Sequence, residues 1–151
     1  MDTRPVTERR RTLGALLRLP YEALQREVYG GLAARGFPEI RPAHSAVFRH
    51  IGPDGARPTA LADRAGMTKQ SMAYLLDGLE EAGHLRSAPD PSDGRARIVR
   101  LTAKGERVLD ALLALSAETE ARVAERIGRR RAAKLRRALE EWVDAIQATE
   151  D

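Results

Sequence analysis

The sequence contains no cysteine, which excludes disulfides, thiolate metal sites and cysteine redox switching. Aromatic residues are nearly as scarce: Phe37, Phe48, Trp142 and three tyrosines. They form no cluster from which a stacking platform for single-stranded nucleic acid could be built. No apolar run approaches membrane-spanning length, and the opening MDTRPVTERRRTLG lacks the apolar centre of a signal peptide. A soluble, cytoplasmic protein with no membrane partner is therefore expected. Only three histidines are present, His44 and His50 six positions apart and His84 distant from both, so no metal site is expected. Also missing are a nucleophile–base constellation, a phosphate-binding glycine loop and paired carboxylates in an apolar setting, so an enzyme is not expected, nor a cofactor. The chain shows no internal repeat and no low-complexity linker.

What is present is the material of one helical domain. A length of 151 residues with 42% hydrophobic content suffices for one compact core. Alanine, leucine, arginine and glutamate dominate, favouring helix. The net charge of +4 is compatible with a polyanionic partner without requiring one.

Along the chain, apolar residues recur at helical spacing from Arg9 to about Arg35. Pro20 is expected to kink that helix or start a new one. A second helix is expected after Pro42, carrying Ala46, Val47 and Ile51. Pro58 then suits the first position of a short helix closed by Gly66. Thr68 suits the N-cap of a further helix over Lys69 to Ala82, terminated by Gly83. That helix buries Met72, Leu75, Leu76 and Leu79 and turns Gln70, Tyr74 and Asp77 to the opposite face. Two short helices joined by a tight glycine turn form a helix-turn-helix, whose second helix can enter a DNA major groove. Next comes DPSDGRARIVRLTAKG, Asp90 to Gly105. Its turn formers, its arginines Arg95, Arg97 and Arg100, and its β-branched second half describe a hairpin with guanidinium groups near the tip. Contact with a nucleic-acid backbone is the leading reason for such a tip. Thr102 caps a long helix from Ala103 to about Ile127, and a last helix runs from about Arg130 to Ala148. In the last helix Leu135, Leu139, Trp142, Val143 and Ile146 fall on one face, and little of the chain remains to cover them.

In this order the segments resemble the MarR family of winged helix-turn-helix regulators. The most specific features are Asp93, Arg95, Val99, Leu101, Thr102 and Gly105, downstream of the helix end Leu79-Glu80-Glu81-Ala82-Gly83. The resemblance implies a mainly α fold with a small β-hairpin wing: a winged helix-turn-helix over 41–102, with a helical dimerisation region formed by 1–35 and 103–151. It also implies a homodimer on a palindromic operator in double-stranded DNA, acting as a repressor released by a small, often aromatic, molecule. The peroxide-sensing branch of the family needs a cysteine and is ruled out.

Within that frame, Gln70 and Ser71 suit base-edge hydrogen bonds, and Thr68, Lys69 and Tyr74 suit phosphate or sugar. Arg95 is expected in or beside a minor groove, with Arg97 a helper on phosphate. Asp93 is assigned to bracing the wing. Each has a plainer reading: Thr68 as a simple cap, the arginines as solvated charge. The Asp77-Gly78 step departs from the family, in which a basic residue commonly stands at the position of Gly78. Tyr21, His44, Phe48, Arg49 and His50 are candidates for an effector pocket, and each could equally be core, surface or dimer packing. The basic run Arg129 to Arg137 reads as a solvated helix start. A winged-helix protein-interaction module without DNA binding remains the alternative.

Overall fold

The computed structural model describes residues 3–150 and is mainly helical, with one antiparallel hairpin. A short helix α1 (Val6–Arg9) precedes α2 (Leu13–Gly31), whose N-cap Thr12 accepts a hydrogen bond from the Ala15 amide. Helix α2 runs through Pro20 without a new start. The proline is exposed, so the carbonyl that loses its amide partner can be solvated instead. The helix also ends earlier than its apolar pattern suggests, and a 3-10 turn over Ala33–Arg35 completes it. The helix expected after Pro42 is short: a 3-10 turn, Pro42–His44, then α3 (Ser45–Phe48). Ile51 lies beyond it.

Helices α4 (Pro58–Ala65) and α5 (Lys69–Glu81) form the helix-turn-helix. Pro58 occupies the start of α4, and Gly66 closes it in the left-handed region at φ +62°, a conformation that costs other residues far more. Thr68 caps α5, its hydroxyl accepting from the Ser71 amide at 3.1 Å. Strands β1 (Leu85–Asp90) and β2 (Asp93–Leu101) pair from Leu85 opposite Leu101 outward, with an irregularity between Pro89 and Asp90. A third segment, not apparent in the sequence pattern, joins them: Ala56 exchanges both backbone hydrogen bonds with Val99. Helix α6 (Ala103–Ile127) follows under its Thr102 cap, and α7 (Arg129–Glu150) ends the chain.

The core lies where α2, α3, α4, α5, the hairpin and the first half of α6 meet. Leu32, Val47, Leu61, Met72, Leu76, Leu79, Val99 and Val108 are fully buried there. At the seam between hairpin and long helix, α6 passes so close to β1 that a Cβ on Gly105 would strike the His84 carbonyl oxygen. Helix α7 contributes nothing to this core. Its apolar residues Leu135, Leu139, Trp142, Val143 and Ile146 are 37–50% exposed, and Leu13, Leu16 and Leu19 in the N-terminal half of α2 are exposed as well. No helix among the described residues is long and apolar enough to cross a membrane.

Candidate nucleic-acid interface

Helix α5 presents two chemically distinct halves to solvent. Its buried stripe is Met72, Leu75, Leu76 and Leu79. The outward N-terminal half carries Lys69, Gln70, Ser71 and Tyr74, all exposed, with Tyr74 at 72%. An aromatic ring held that far into solvent has no packing role within this chain. Thr68 and Ser71 engage each other: besides the cap, the Thr68 hydroxyl donates to Ser71 Oγ at 2.9 Å. The C-terminal half is acidic, with Asp77, Glu80 and Glu81. A polyanion would meet the first half attractively and the second half repulsively, so the dipole-positive N-terminus is the end that can approach one.

The hairpin is fastened to the helices by carboxylates. Asp90, nearly buried, accepts from Arg57 Nε at 2.6 Å, from the Ser92 amide at 2.8 Å and from Ser92 Oγ at 2.7 Å. The two bonds from Ser92, aided by Arg57, hold its carboxyl below the ordinary range. Arg57 is the residue preceding α4, so this cluster pins the hairpin turn to the helix-turn-helix. At the other end of the turn, Asp93 accepts from the Arg95 amide at 3.1 Å. Glu80, in the last turn of α5, accepts from the Ser87 amide at 2.8 Å and Ser87 Oγ at 3.0 Å. Nothing in the residue spacing marks Glu80 or Arg57 for these roles, since both depend on strand register. Only Asp90 carries a sequence signal, as half of a turn-forming Asp-Pro.

The three arginines of β2 differ in what holds them. Arg100 donates to the Asp54 carbonyl at 3.0 Å, tying β2 to the preceding loop. Arg97 leans back over α5, 3.5 Å from Glu80 and 4.0 Å from Asp77. Arg95 has an exposed side chain with no ion pair among the described residues. It is the cation nearest the hairpin turn that is available to an outside partner.

Where the hairpin meets α6, His84 is fully buried. Its Nε2 lies 2.7 Å from Glu39, whose carboxylate also takes Lys104 at 3.3 Å, and Lys104 Nζ donates to the Ala82 carbonyl. Backbone bonding, with His84 and Lys104, keeps the Glu39 carboxyl low. This cluster joins the loop after α2, the end of α5 and the start of α6.

A second feature is a cleft of about 400 Å³ between α2, α3 and α6, lined by Tyr21, Tyr29, Phe48, Arg49 and Leu112 among others. The Arg49 guanidinium donates to the Tyr21 hydroxyl and lies 5.5 Å from that ring's centre. Burial pushes the Tyr29 hydroxyl up to about 12, so it is a neutral donor at physiological pH. His44 and His50 stand outside this lining. His44 is buried and accepts from the Arg41 amide through Nδ1 at 2.9 Å; His50 receives Arg64 on its backbone carbonyl at 3.1 Å. Burial lowers the affinity of both imidazoles for a proton. Among the described residues no group of three or more histidines and carboxylates could hold a metal ion.

The chain is similar to several known proteins along these same elements. A MarR family profile matches residues 40–96, which span the helix-turn-helix and most of the wing. The transcriptional regulator HosA of Escherichia coli O111:H- is 38% identical over 77 residues, 50% of this chain and 57% of HosA. The match thus spans little more than half the length of the curated relatives. Among solved structures, the transcriptional repressor CouR bound to a 23-mer DNA duplex, a protein of Rhodococcus jostii RHA1, is 26% identical, covers 97% of this chain and 99% of its own, and has a TM-score of 0.70. A MarR family protein of Mycobacterium tuberculosis in complex with salicylic acid is 28% identical, covering 87% of this chain and 96% of its own with a TM-score of 0.67. HosA is a transcriptional regulator and CouR a transcriptional repressor. The winged helix-turn-helix, the family profile over residues 40–96 and the likeness in fold to CouR and the M. tuberculosis protein agree: along these elements the chain is similar to MarR family proteins.

Proposed function

We propose that this protein is a transcriptional regulator that binds double-stranded DNA sequence-specifically, with α5 in a major groove and the wing in the adjacent minor groove. The observation that carries this reading is the free, exposed Arg95 on a braced hairpin beside the polar N-terminal half of α5. Gln70 and Ser71 suit base edges; Lys69, Thr68 and Tyr74 suit the backbone. Arg97 is the weaker wing contact, because it must leave Glu80 and Asp77 to reach phosphate. That CouR, alike in fold, binds a DNA duplex supports double-stranded DNA as the partner.

The protein acts as a cytoplasmic homodimer on a palindromic operator, with residues 41–102 holding DNA and the flanking helices, 1–35 and 103–151, pairing the subunits. The apolar stripe of α7 supports this. With α6 it walls an open groove of about 730 Å³ that reaches Leu24 of α2. In the protein's action as a repressor, release follows binding of a small aromatic molecule in the cleft at Tyr21, Phe48 and Arg49, where apolar walls and one guanidinium suit a ring bearing an acidic group. The salicylate complex of the M. tuberculosis relative is consistent with that chemistry.

Electrophoretic mobility shift against genomic fragments tests the central assignment. Arg95→Ala should weaken binding by about 1–3 kcal/mol; unchanged affinity would remove Arg95 from the interface. The acidic half of α5 favours one other reading, a winged-helix module that docks on protein instead. Under that reading the wild type would shift no duplex even at low salt.

A further inference from the structure

Helix α7 carries two stripes with the same spacing. Leu135, Leu139, Trp142 and Ile146 form the apolar one. Arg130, Lys134, Arg137 and Glu141 form another, set five residues earlier and so about 140° around the helix. The second stripe lines a shallow recess of about 450 Å³ floored by Ala133 and Ala138. It lies in the most one-sided stretch of the sequence: from Arg126 to Arg137 there are seven cations, and no carboxylate between Glu125 and Glu140. Most of these cations are unsatisfied. Arg136 alone is spoken for, paired with Glu120 and Glu140. Arg129, Arg130, Arg131, Lys134 and Arg137 are exposed and make no ion pair among the described residues. The contrast with α5 is sharp, since that helix has one cation, Lys69, against three carboxylates.

Arg130, Lys134 and Arg137 extend over about 10 Å of helix axis. That is too long to converge on one small anion, and it suits a polymer that repeats its charge. Duplex DNA carries about one phosphate per 1.7 Å of its axis with both strands counted, so a stretch as long as the stripe holds about six charges, shared between its two strands. An amphipathic helix lying on a membrane would need its apolar stripe free, but that stripe faces the groove with α6. The patch is also remote from the wing. The 25 residues of α6 separate the hairpin base from the start of α7, roughly 37 Å, so the patch is a surface apart from the helix-turn-helix and wing.

We infer that the Arg130–Lys134–Arg137 face of α7, with Arg129 and Arg131 beside it, is a second, sequence-independent docking surface for the phosphate backbone of a separate double-stranded DNA segment. The choice of DNA as occupant rests on the function proposed above; the surface and its charge do not.

The test uses the full chain and a 40-base-pair duplex of mixed sequence at low salt. Four proteins are compared: the wild type, Lys69→Ala/Arg95→Ala, Arg130→Gln/Lys134→Gln/Arg137→Gln, and all five substitutions together. The K69A/R95A protein should retain weak duplex binding. The five-fold variant should lose about another tenfold, and its dependence of log affinity on log salt should flatten by about 2 to 3. The replaced α7 side chains are exposed, and unchanged circular dichroism would confirm that each variant folds. Absence of residual binding in K69A/R95A, or residual binding that survives the α7 substitutions, overturns the inference. Capture of anionic phosphatidylglycerol vesicles, but not duplex, by the α7 face would overturn it in favour of a lipid surface. The function proposed above fails separately, if K69A/R95A binds duplex as well as the wild type does.

Discussion

The winged helix-turn-helix and the terminal helix α7 are written in the same hydrophobic code with opposite outcomes. Both repeat leucine and its equivalents at helical spacing. In α4 and α5 the repeat becomes a closed core in which Leu61, Met72, Leu76 and Leu79 are fully buried; in α7 Leu135, Leu139, Trp142, Val143 and Ile146 all remain more than a third exposed. Periodicity thus states that a face is to be covered, but not by what. Around α5 the cover is supplied by neighbours from the same chain. Around α7 the chain leaves the stripe part-exposed, which is why a second subunit belongs in the proposed function.

The sharpest way to break this comparison is to remove equivalent leucines from the two regions. Leu76→Ala should cost about 2–5 kcal/mol in urea unfolding at any protein concentration, because it opens a cavity in a filled core. Leu139→Ala should cost well under that in dilute solution. At higher concentration it should reduce both stability and the dimer fraction seen by light scattering. Equal, concentration-independent losses would show that α7 is covered within its own chain.

A smaller effect is expected at the seam between the two regions. Gly105→Ala drives a methyl group into the backbone of His84 and should destabilise by about 1–3 kcal/mol through strain. Its clearest signature would be faster amide exchange in β1 and the first turn of α6, the joint through which helical rearrangement would reach the wing. Exchange unchanged there would mean that the joint absorbs the methyl group without opening.

The smallest effect concerns pH and lies on the winged-helix side. His44 binds a proton less readily in the folded protein than the ordinary value of 6.5, because burial disfavours the charge and Nδ1 is already accepting from Arg41. The unfolded chain therefore binds more protons just below 6.5. Stability should be complete above that value and fall as the pH drops through and below it; His50 acts in the same direction. Urea midpoints at pH 7.5 and 5.5 should differ accordingly, and His44→Gln should reduce the difference.

Local chemistry made much of the winged helix readable. Pro58, Gly66 and Thr68 punctuate α4 and α5 as their backbone preferences require, and Thr102 caps α6 as its position suggested. Pro20 shows the limit of that logic. A proline penalty of a few kcal/mol is local, and the helix around it continues. At the candidate interface, the polar face of α5 and the exposure of Arg95 follow from helical phase and turn chemistry. The sorting of the arginines does not. Arg97 and Arg100 follow it in the same strand, yet one leans on Asp77 and Glu80 and the other ties down a loop.

By itself, then, the sequence determined the order and phase of the helices, their caps, the position of the hairpin turn and which residues point outward, because each depends on neighbours a few positions away. Only the tertiary structure decided the rest. The Asp90–Arg57 pin, the Glu80–Ser87 clasp, the Ala56 bridge and the junction of buried His84 with Glu39 and Lys104 all join residues of different elements. Their geometry is set by strand register and by how helices pack, and no local propensity encodes either.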